Sequence, residues 1–250
     1  MFPTPDTSHL TFTHIYEPAE DSYLLLDTLS SPTETAFLRT RFASCTPSPL
    51  VVEVGSGSGI VLAFLAANAC AIFGRPDILT CATDVSKYAC EATVSTVFPE
   101  TKSHAPQGVF LGAINADIYS PLRMREVDVL VFNPPYVPTP EMPTLHGLAE
   151  LTGFEAETRY LQLTYAGGPT GMATTDRLLE GLDEVLSERG ILYLLLCAQN
   201  KPDEVAKRLR EGGYIQGMET TGIRWKVEKV SGSGKQGGWE VLSILRIQRE

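Results

Sequence analysis

Residues 127–138 read Val-Asp-Val-Leu-Val-Phe-Asn-Pro-Pro-Tyr-Val-Pro, and no other stretch limits the possible folds as tightly. Apolar residues fill 127–132 with only Asp128 interrupting. A short β-branched run of this kind predicts a strand buried on both faces of a parallel sheet. Two prolines end it at once, since neither can donate to a ladder and Pro134 holds Asn133 extended. Asn133 is thereby placed at the carboxyl end of a central strand, where open α/β sheets bind their ligands. Pro134 and Pro135 leave carbonyls with no competing N–H between them, and the Asn133 amide can both accept and donate. Tyr136 adds a flat face. The set suits a planar group with an exocyclic NH2, such as a carboxamide or an aminopurine. Asn-Pro and Pro-Pro are also common turn dipeptides, so this stretch alone leaves a plain turn open.

Upstream, residues 50–54 read as a buried strand and Gly55-Ser56-Gly57-Ser58-Gly59 as a tight loop opening a helix over 60–71. A dinucleotide-binding fingerprint would want Gly or Ala where Ile60 stands. The alternating glycines instead suit close backbone approach to a ligand without a pyrophosphate. Glu53 would be costly to bury unless it faced a cationic amino group or a set of donors. A second strand over 78–84 ends in Asp84, followed by Val85-Ser86. An acid there can take both hydroxyls of a ribose, or it can cap the helix expected over 86–97. The two roles are compatible. A third strand over 109–114 leads to Asn115-Ala116-Asp117-Ile118.

Asn133-Pro134-Pro135-Tyr136 resembles the signature of S-adenosylmethionine-dependent methyltransferases that act on planar amide or amino nitrogens. Tyr16-Glu17-Pro18-Ala19-Glu20-Asp21-Ser22-Tyr23, by itself a well-started amphipathic helix, resembles the segment just ahead of the core in HemK-like glutamine methyltransferases. Gly167-Gly168-Pro169-Thr170-Gly171 fits the glycine element that follows in that family, although 150–165 is more polar and helix-prone than in its relatives. The resemblance covers nearly the whole chain from Tyr16. It implies a release-factor glutamine N5-methyltransferase of the eukaryotic type, modifying the Gly-Gly-Gln loop with S-adenosylmethionine as cofactor. Ser22, Glu53, Gly55, Gly57, Asp84, Val85, Asp117, Ile118 and Asn133 then hold the cofactor. Asp117 meets the adenine amino group and Ile118 packs on the ring, while Asn133, Pro134, Pro135 and Tyr136 grip the substrate amide. The resemblance also implies a small zinc-binding activator subunit as partner. In the strand order it supplies, 109–114 is the open sheet edge, which carries no charge to guard it.

The expected fold is α/β: a seven-stranded, mostly parallel sheet with helices on both faces and the last strand antiparallel. One domain spans 1–250, with a poorly ordered start (1–14), an N-terminal helical cap (15–49) and a catalytic core with a substrate-wall insertion (137–172). Within the cap, 30–49 reads as a connector around a short helical patch. Helices are expected over 176–188 and 202–211, and strands over 191–197, 214–230 and 239–247, the last two joined by a glycine-rich loop. No general base is evident near Asn133.

A net charge of −10 from 20 basic and 30 acidic residues argues against an extensive polyanion-binding face. That weighs against the rival reading, adenine N6-methylation of nucleic acid. Methylation of lysine or another protein side chain stays open, as does a non-catalytic cofactor-binding scaffold. Residues 54–74 are uncharged, but their first third is Gly and Ser, which argues against a membrane span. The five cysteines form no C-x-x-C pair, which points to reduced thiols and a protein of the cytoplasm or nucleus. The four scattered histidines give no metal-ligand spacing.

Overall fold

In the computed structural model, residues 2–43, 46–103, 107–212, 224–234 and 241–250 are described. Two helices come first, α1 (Glu20–Leu29) and α2 (Pro32–Arg41). Strand β1 (Leu50–Val54) leads to α3 (Ile60–Ala67) and α4 (Ala69–Phe73), and β2 (Leu79–Asp84) to α5 (Lys87–Ser103). Then come β3 (Val109–Asn115), β4 (Val127–Phe132) and α6 (Gly153–Tyr165), followed by α7 (Ala173–Glu180), α8 (Leu182–Val185) and β5 (Leu186–Cys197). Finally α9 (Pro202–Arg210) precedes β6 (Trp225–Gly232) and β7 (Leu242–Arg249). The seven strands form one sheet in the order β3-β2-β1-β4-β5-β7-β6. Only β7 is reversed, running against both β5 and β6. No helix among the described residues is long and apolar enough to cross a membrane.

From Val129 onward, past a register shift after Val127, side chains of β4 alternate between two cores, which explains why nearly every residue of the strand is apolar. Val129 and Val131 join Leu25, Leu38, Leu62 and Ile72 of the first four helices. Val127, Leu130 and Phe132 join Leu178, Leu182 and Val205 of α7, α8 and α9 on the other face. All six residues of β4 are buried, as a central parallel strand requires.

Several boundaries differ from the sequence pattern. Helix α1 starts at Glu20, so Pro18 precedes the Ala19 cap and does not occupy the first turn. The patch in 30–49 is a full helix, α2, because Ser31 caps it by accepting from Glu34 N and Pro32 stands at its start. The helix expected over 60–71 is broken at Asn68. The one over 176–188 is interrupted at Gly181 and yields to β5 at Leu186, which pairs with Val127. The glycine at 181 is needed because a Cβ there would overlap the Tyr119 hydroxyl. The insertion contains α6, formed by the helix-prone stretch. At the amino end, Leu10, Phe12 and Ile15 pack on Ala89 and Ala92 of α5. Residues 214–223 of the expected sixth strand, much of the glycine-rich connection and Trp239 lie outside the described residues.

Candidate active site

Val54 pairs with Thr83 on one side and Phe132 on the other, so Gly55, Asp84 and Asn133 leave the sheet at one level. A cavity of about 610 Å3 opens there, within the range of small-molecule sites. Every candidate residue lines it: Ser22, Glu53, Gly55, Gly57, Asp84, Val85, Asp117, Ile118, Asn133, Pro134, Pro135 and Tyr136. It lies outside the carboxyl ends of the strands, as in open α/β sheets generally.

Asn133 is oriented by an acid far away in the chain. Its Nδ2 donates to Asp21 Oδ2 at 3.0 Å, and the Tyr136 hydroxyl donates to the same oxygen at 3.4 Å. Asp21 Oδ1 accepts from the Ser22 N–H at 2.6 Å and from the Ser22 hydroxyl at 3.2 Å. Because the carboxylate only accepts in this arrangement, the Asn133 NH2 must face it and Oδ1 must face away. Asn133 Oδ1 is buried and has no hydrogen-bond partner among the described residues. A buried carbonyl left unpaired costs on the order of 1–3 kcal/mol, and a ligand N–H would remove that cost. A carboxylate does therefore stand beside Asn133, but its oxygens already serve four donors. Its evident work is to orient the amide.

The glycine loop and Asp84 form a second acceptor cluster. Gly55, Gly57 and Gly59 all have positive φ, between 52° and 75°, where a side chain would be strained. At Gly59 a Cβ would also lie 2.7 Å from Thr93 Cα, so the loop could not approach α5 with any larger residue. Asp84 Oδ2 accepts from Gly57 N at 3.1 Å and Oδ1 from Ser86 N at 2.8 Å. The start of α5 is capped by Ser86, whose hydroxyl accepts from Ala89 N at 3.4 Å. Asp84 is thus spared the capping role, and its carboxylate borders the cavity. Burial pushes its pKa up to about 6, partly offset by the two backbone N–H groups.

Glu53 meets a donor and no cation among the described residues: Oε2 accepts from Leu62 N at 2.9 Å. That N–H lies in the first turn of α3, whose Gly59 cap has no side chain to offer. Burial pushes the Glu53 pKa up to about 8, with the Leu62 bond opposing and Asp84 reinforcing. The carboxyl is mostly protonated at neutral pH.

Asp117 is held by Arg177 of α7, whose Nη2 lies 2.5 Å from Oδ2 and Nη1 3.3 Å from Oδ1. Next to it Ile118 has φ 51°, an uncommon conformation for a β-branched residue. Thr83 fixes it by donating from Oγ1 to the Ile118 carbonyl at 2.5 Å.

The glycine element packs directly on the Asn-Pro-Pro-Tyr backbone. A Cβ on Gly167 would come within 2.6 Å of the Pro135 carbonyl oxygen, and one on Gly171 would overlap the Tyr136 carbonyl. Buried Asn200 ties both together, donating from Nδ2 to the carbonyls of Tyr136 (3.2 Å) and Gly171 (3.1 Å). Asp21, Asn200 and Arg177 are the residues that sequence reasoning missed. A polar residue just past the apolar run of β5 could have pointed to Asn200, and an acid directly before Ser22 to Asp21.

No protein-family model matches the chain. It is 31% identical over 253 residues to the eRF1 methyltransferase catalytic subunit mtq2 of Schizosaccharomyces pombe, covering all of this chain and 96% of that protein. It is 32% identical over 254 residues to the methyltransferase HEMK2 of Homo sapiens, covering 99% and 97%. A release factor glutamine methyltransferase of Moorella thermoacetica is 31% identical over 145 residues, 58% of this chain and 44% of that one. In fold, the methyltransferase domain of METTL16 matches with a TM-score of 0.50 at 12% identity, over 94% of this chain and 85% of that one. With full-length similarity to mtq2 and HEMK2 above 30% identity, the chain belongs to the HEMK2 family of methyltransferases.

Proposed function

We propose that the chain methylates N5 of the glutamine in the Gly-Gly-Gln loop of a translation release factor, using S-adenosylmethionine. The observation that carries this reading is the buried, unpaired Oδ1 of Asn133, fixed in direction by Asp21. A primary carboxamide presents two N–H donors in one plane, which suits Asn133 Oδ1 and the Pro134 carbonyl as acceptors. Tyr136, held through its hydroxyl, provides a face for that plane. Fixing the amide in this way supplies proximity and orientation, the main help available to a nitrogen whose lone pair is delocalised.

The residues at the strand ends fit the cofactor. Asp84 offers acceptors for ribose hydroxyls, Asp117 an acceptor for an exocyclic amino group, and Ile118 an apolar face. When bound, the cofactor supplies an electrophilic methyl group on a sulfonium. Glu53, neutral without ligand, can ionise beside a cationic amino group. Asn133 borders both halves of the site.

The fission-yeast relative's designation as a catalytic subunit supports a partner as well. In this reading the partner is a small zinc-binding activator seated on β3. That strand is the sheet edge and exposes Val109, Leu111 and Ile114, with Leu111 58% exposed. The register shifts there, so Leu111 stands out as the extra residue of a bulge. Helix α5, packed against β3, also exposes Val94 and Phe98. Phe110 turns inward to the core, so Leu111→Lys is the direct way to break the complex. A monodisperse, fully active monomer by light scattering would overturn this part. A release-factor substrate places the work in the cytoplasm.

The activity is tested by labelled methyl transfer to a release factor, to the same factor with its Gly-Gly-Gln glutamine replaced, to duplex DNA, to RNA and to a lysine-rich protein. Label is expected on the intact release factor and absent after the glutamine is replaced. Preferential labelling of nucleic acid or lysine would refute the reading.

A further inference from the structure

The salt bridge between Asp117 and Arg177 stands at an informative place. Both residues line the main cavity, and both also line an outer hollow of about 360 Å3. The pair is therefore the partition between the site and the space outside it. Its side chains are 38% and 55% exposed, respectively, so it contributes little to stability.

Geometry gives it a different use. The two contacts are parallel, nitrogen to oxygen on each arm, which is the bidentate form that fixes a carboxylate plane. An aspartate this exposed would otherwise rotate freely, because its terminal torsion is broad and roughly two-fold. Arg177 is itself well founded. Leu178 and Leu179 beside it are buried in the core, and the Tyr119 hydroxyl donates to the Arg177 carbonyl at 3.4 Å. Tyr119 fills the space left by Gly181 at the end of the same helix. The segment from Asp117 to Tyr119, with Ile118 at positive φ in its middle, is thus held on both sides by α7.

We infer that Arg177 is the positioning residue for Asp117, and that through it the site selects a purine bearing a 6-amino group over a 6-keto purine. This rests on the reading that the cofactor's adenine lies at Asp117. Arg177 occupies one side of each carboxylate oxygen and leaves acceptor capacity on the side facing the cavity. A 6-amino group can donate to it. A 6-keto oxygen cannot, and would leave two acceptors facing each other without a proton, an arrangement that such sites reject strongly.

The test is calorimetric binding of S-adenosylhomocysteine and S-inosylhomocysteine to the full-length chain. Wild type, Arg177→Ala, Arg177→Gln, Asp117→Ala and the Arg177→Ala/Asp117→Ala double variant are compared, with thermal midpoints as the check on folding. Wild type is expected to prefer the adenosyl ligand by roughly a hundredfold. Either Arg177 variant should cut that preference by about tenfold through the adenosyl ligand alone, and the double variant should bind no worse than Asp117→Ala, as members of one coupled unit do. Equal weakening of both ligands, or additive losses, would overturn the inference and leave Arg177 a structural residue. If Asp117→Ala removes the preference and the Arg177 variants keep it, only the role of Arg177 fails. If Asp117→Ala itself keeps the preference, adenine is not read at Asp117 and the inference falls with that reading.

Discussion

Strand β4 has a buried polar residue near its amino end, Asp128, and a half-buried one just past its carboxyl end, Asn133, and their surroundings are opposite in kind. Asp128 Oδ1 accepts from the Ser187 hydroxyl (2.6 Å) and Arg189 Nε (2.8 Å), and Oδ2 from Leu50 N (3.0 Å) and Arg189 Nη2 (2.8 Å). Asn133 has its NH2 engaged by Asp21 and its oxygen left without a partner among the described residues. An acceptor whose two oxygens each take two donors has little left to offer a ligand, and the evident role of Asp128 is to join β1, β4 and β5 at their lower ends. A network fixed on one side and open on the other is poised to bind. The comparison is one of acceptors within a single strand: both Asp128 oxygens are engaged and Asn133 Oδ1 is not, while Arg189 Nη1 beside Asp128 is a buried donor without a partner among the described residues.

Removing the acid from the closed end should produce the largest change. Asp128→Ala leaves the Leu50 N–H without its side-chain acceptor and Arg189 with only the Pro47 carbonyl. Because the Arg189 side chain is 26% exposed, the loss should lie at the lower end of the roughly 3–5 kcal/mol that breaking a buried pair costs. Urea unfolding should show a loss of that order, with cofactor affinity and turnover per folded molecule close to wild type. If activity per folded molecule fell with stability unchanged, the two ends would not be divided as described.

At the open end the sign is reversed. Asn133→Ala should leave stability within about 1 kcal/mol, since one of its two polar atoms is unpaired already. Turnover should fall by about a hundredfold or more, as loss of a positioning contact does. Cofactor binding by calorimetry should change by only a few-fold. Near wild-type turnover on a release factor would eliminate the amide grip.

Asp21→Asn probes the orientation of that grip with a smaller expected effect. An amide at position 21 both donates and accepts, so the Asn133 side chain could be satisfied either way round. Turnover should drop by about tenfold, or roughly 1.4 kcal/mol, with the larger part in kcat because the bound amide is misaligned. A pure KM effect would place Asp21 in substrate binding.

How much of this was legible in the sequence follows from how local each signal is. Asn133, Asp84 and Gly55 could be placed because an apolar run cut short by Pro or Gly marks a strand end, and strand ends of one parallel sheet share a level. Seven strands with a reversed last one could be read from the order of the runs together with a family resemblance. Asp21 could not be assigned its role, because an acid in a first helical turn is adequately explained by the helix dipole. Its partner Asn133 is 112 residues away. The end of α8 was misplaced because Leu182, Val185 and Leu186 keep helical spacing, whereas pairing of Leu186 with Val127 makes the last of them a strand residue. Tertiary pairing decides such boundaries, and spacing cannot report it.

The smallest expected effect tests whether the open end is also electrostatically tuned. Burial raises Asp84 to about 6 from 3.8 and Glu53 to about 8 from 4.5. Both groups bind protons more tightly in the folded chain than in the unfolded one, so each lowers stability as pH rises, Asp84 between about 4 and 6 and Glu53 between about 4.5 and 8. Glu53→Gln should flatten the upper part of that slope. Ligand binding runs the other way at Asp84, because hydroxyl donors prefer the ionised carboxylate. Measured in Glu53→Gln, so that ionisation of Glu53 on binding does not contribute, affinity for S-adenosylhomocysteine should therefore fall by about fourfold from pH 7 to pH 5.5, the loss of ionised fraction expected for a group titrating at about 6. Adding Asp84→Asn should weaken binding throughout and remove this dependence. If the Glu53→Gln profile is flat between pH 5.5 and 7 while the double variant is still weakened, the carboxylate binds ribose without titrating in that range, and its tuning by burial has no part in binding.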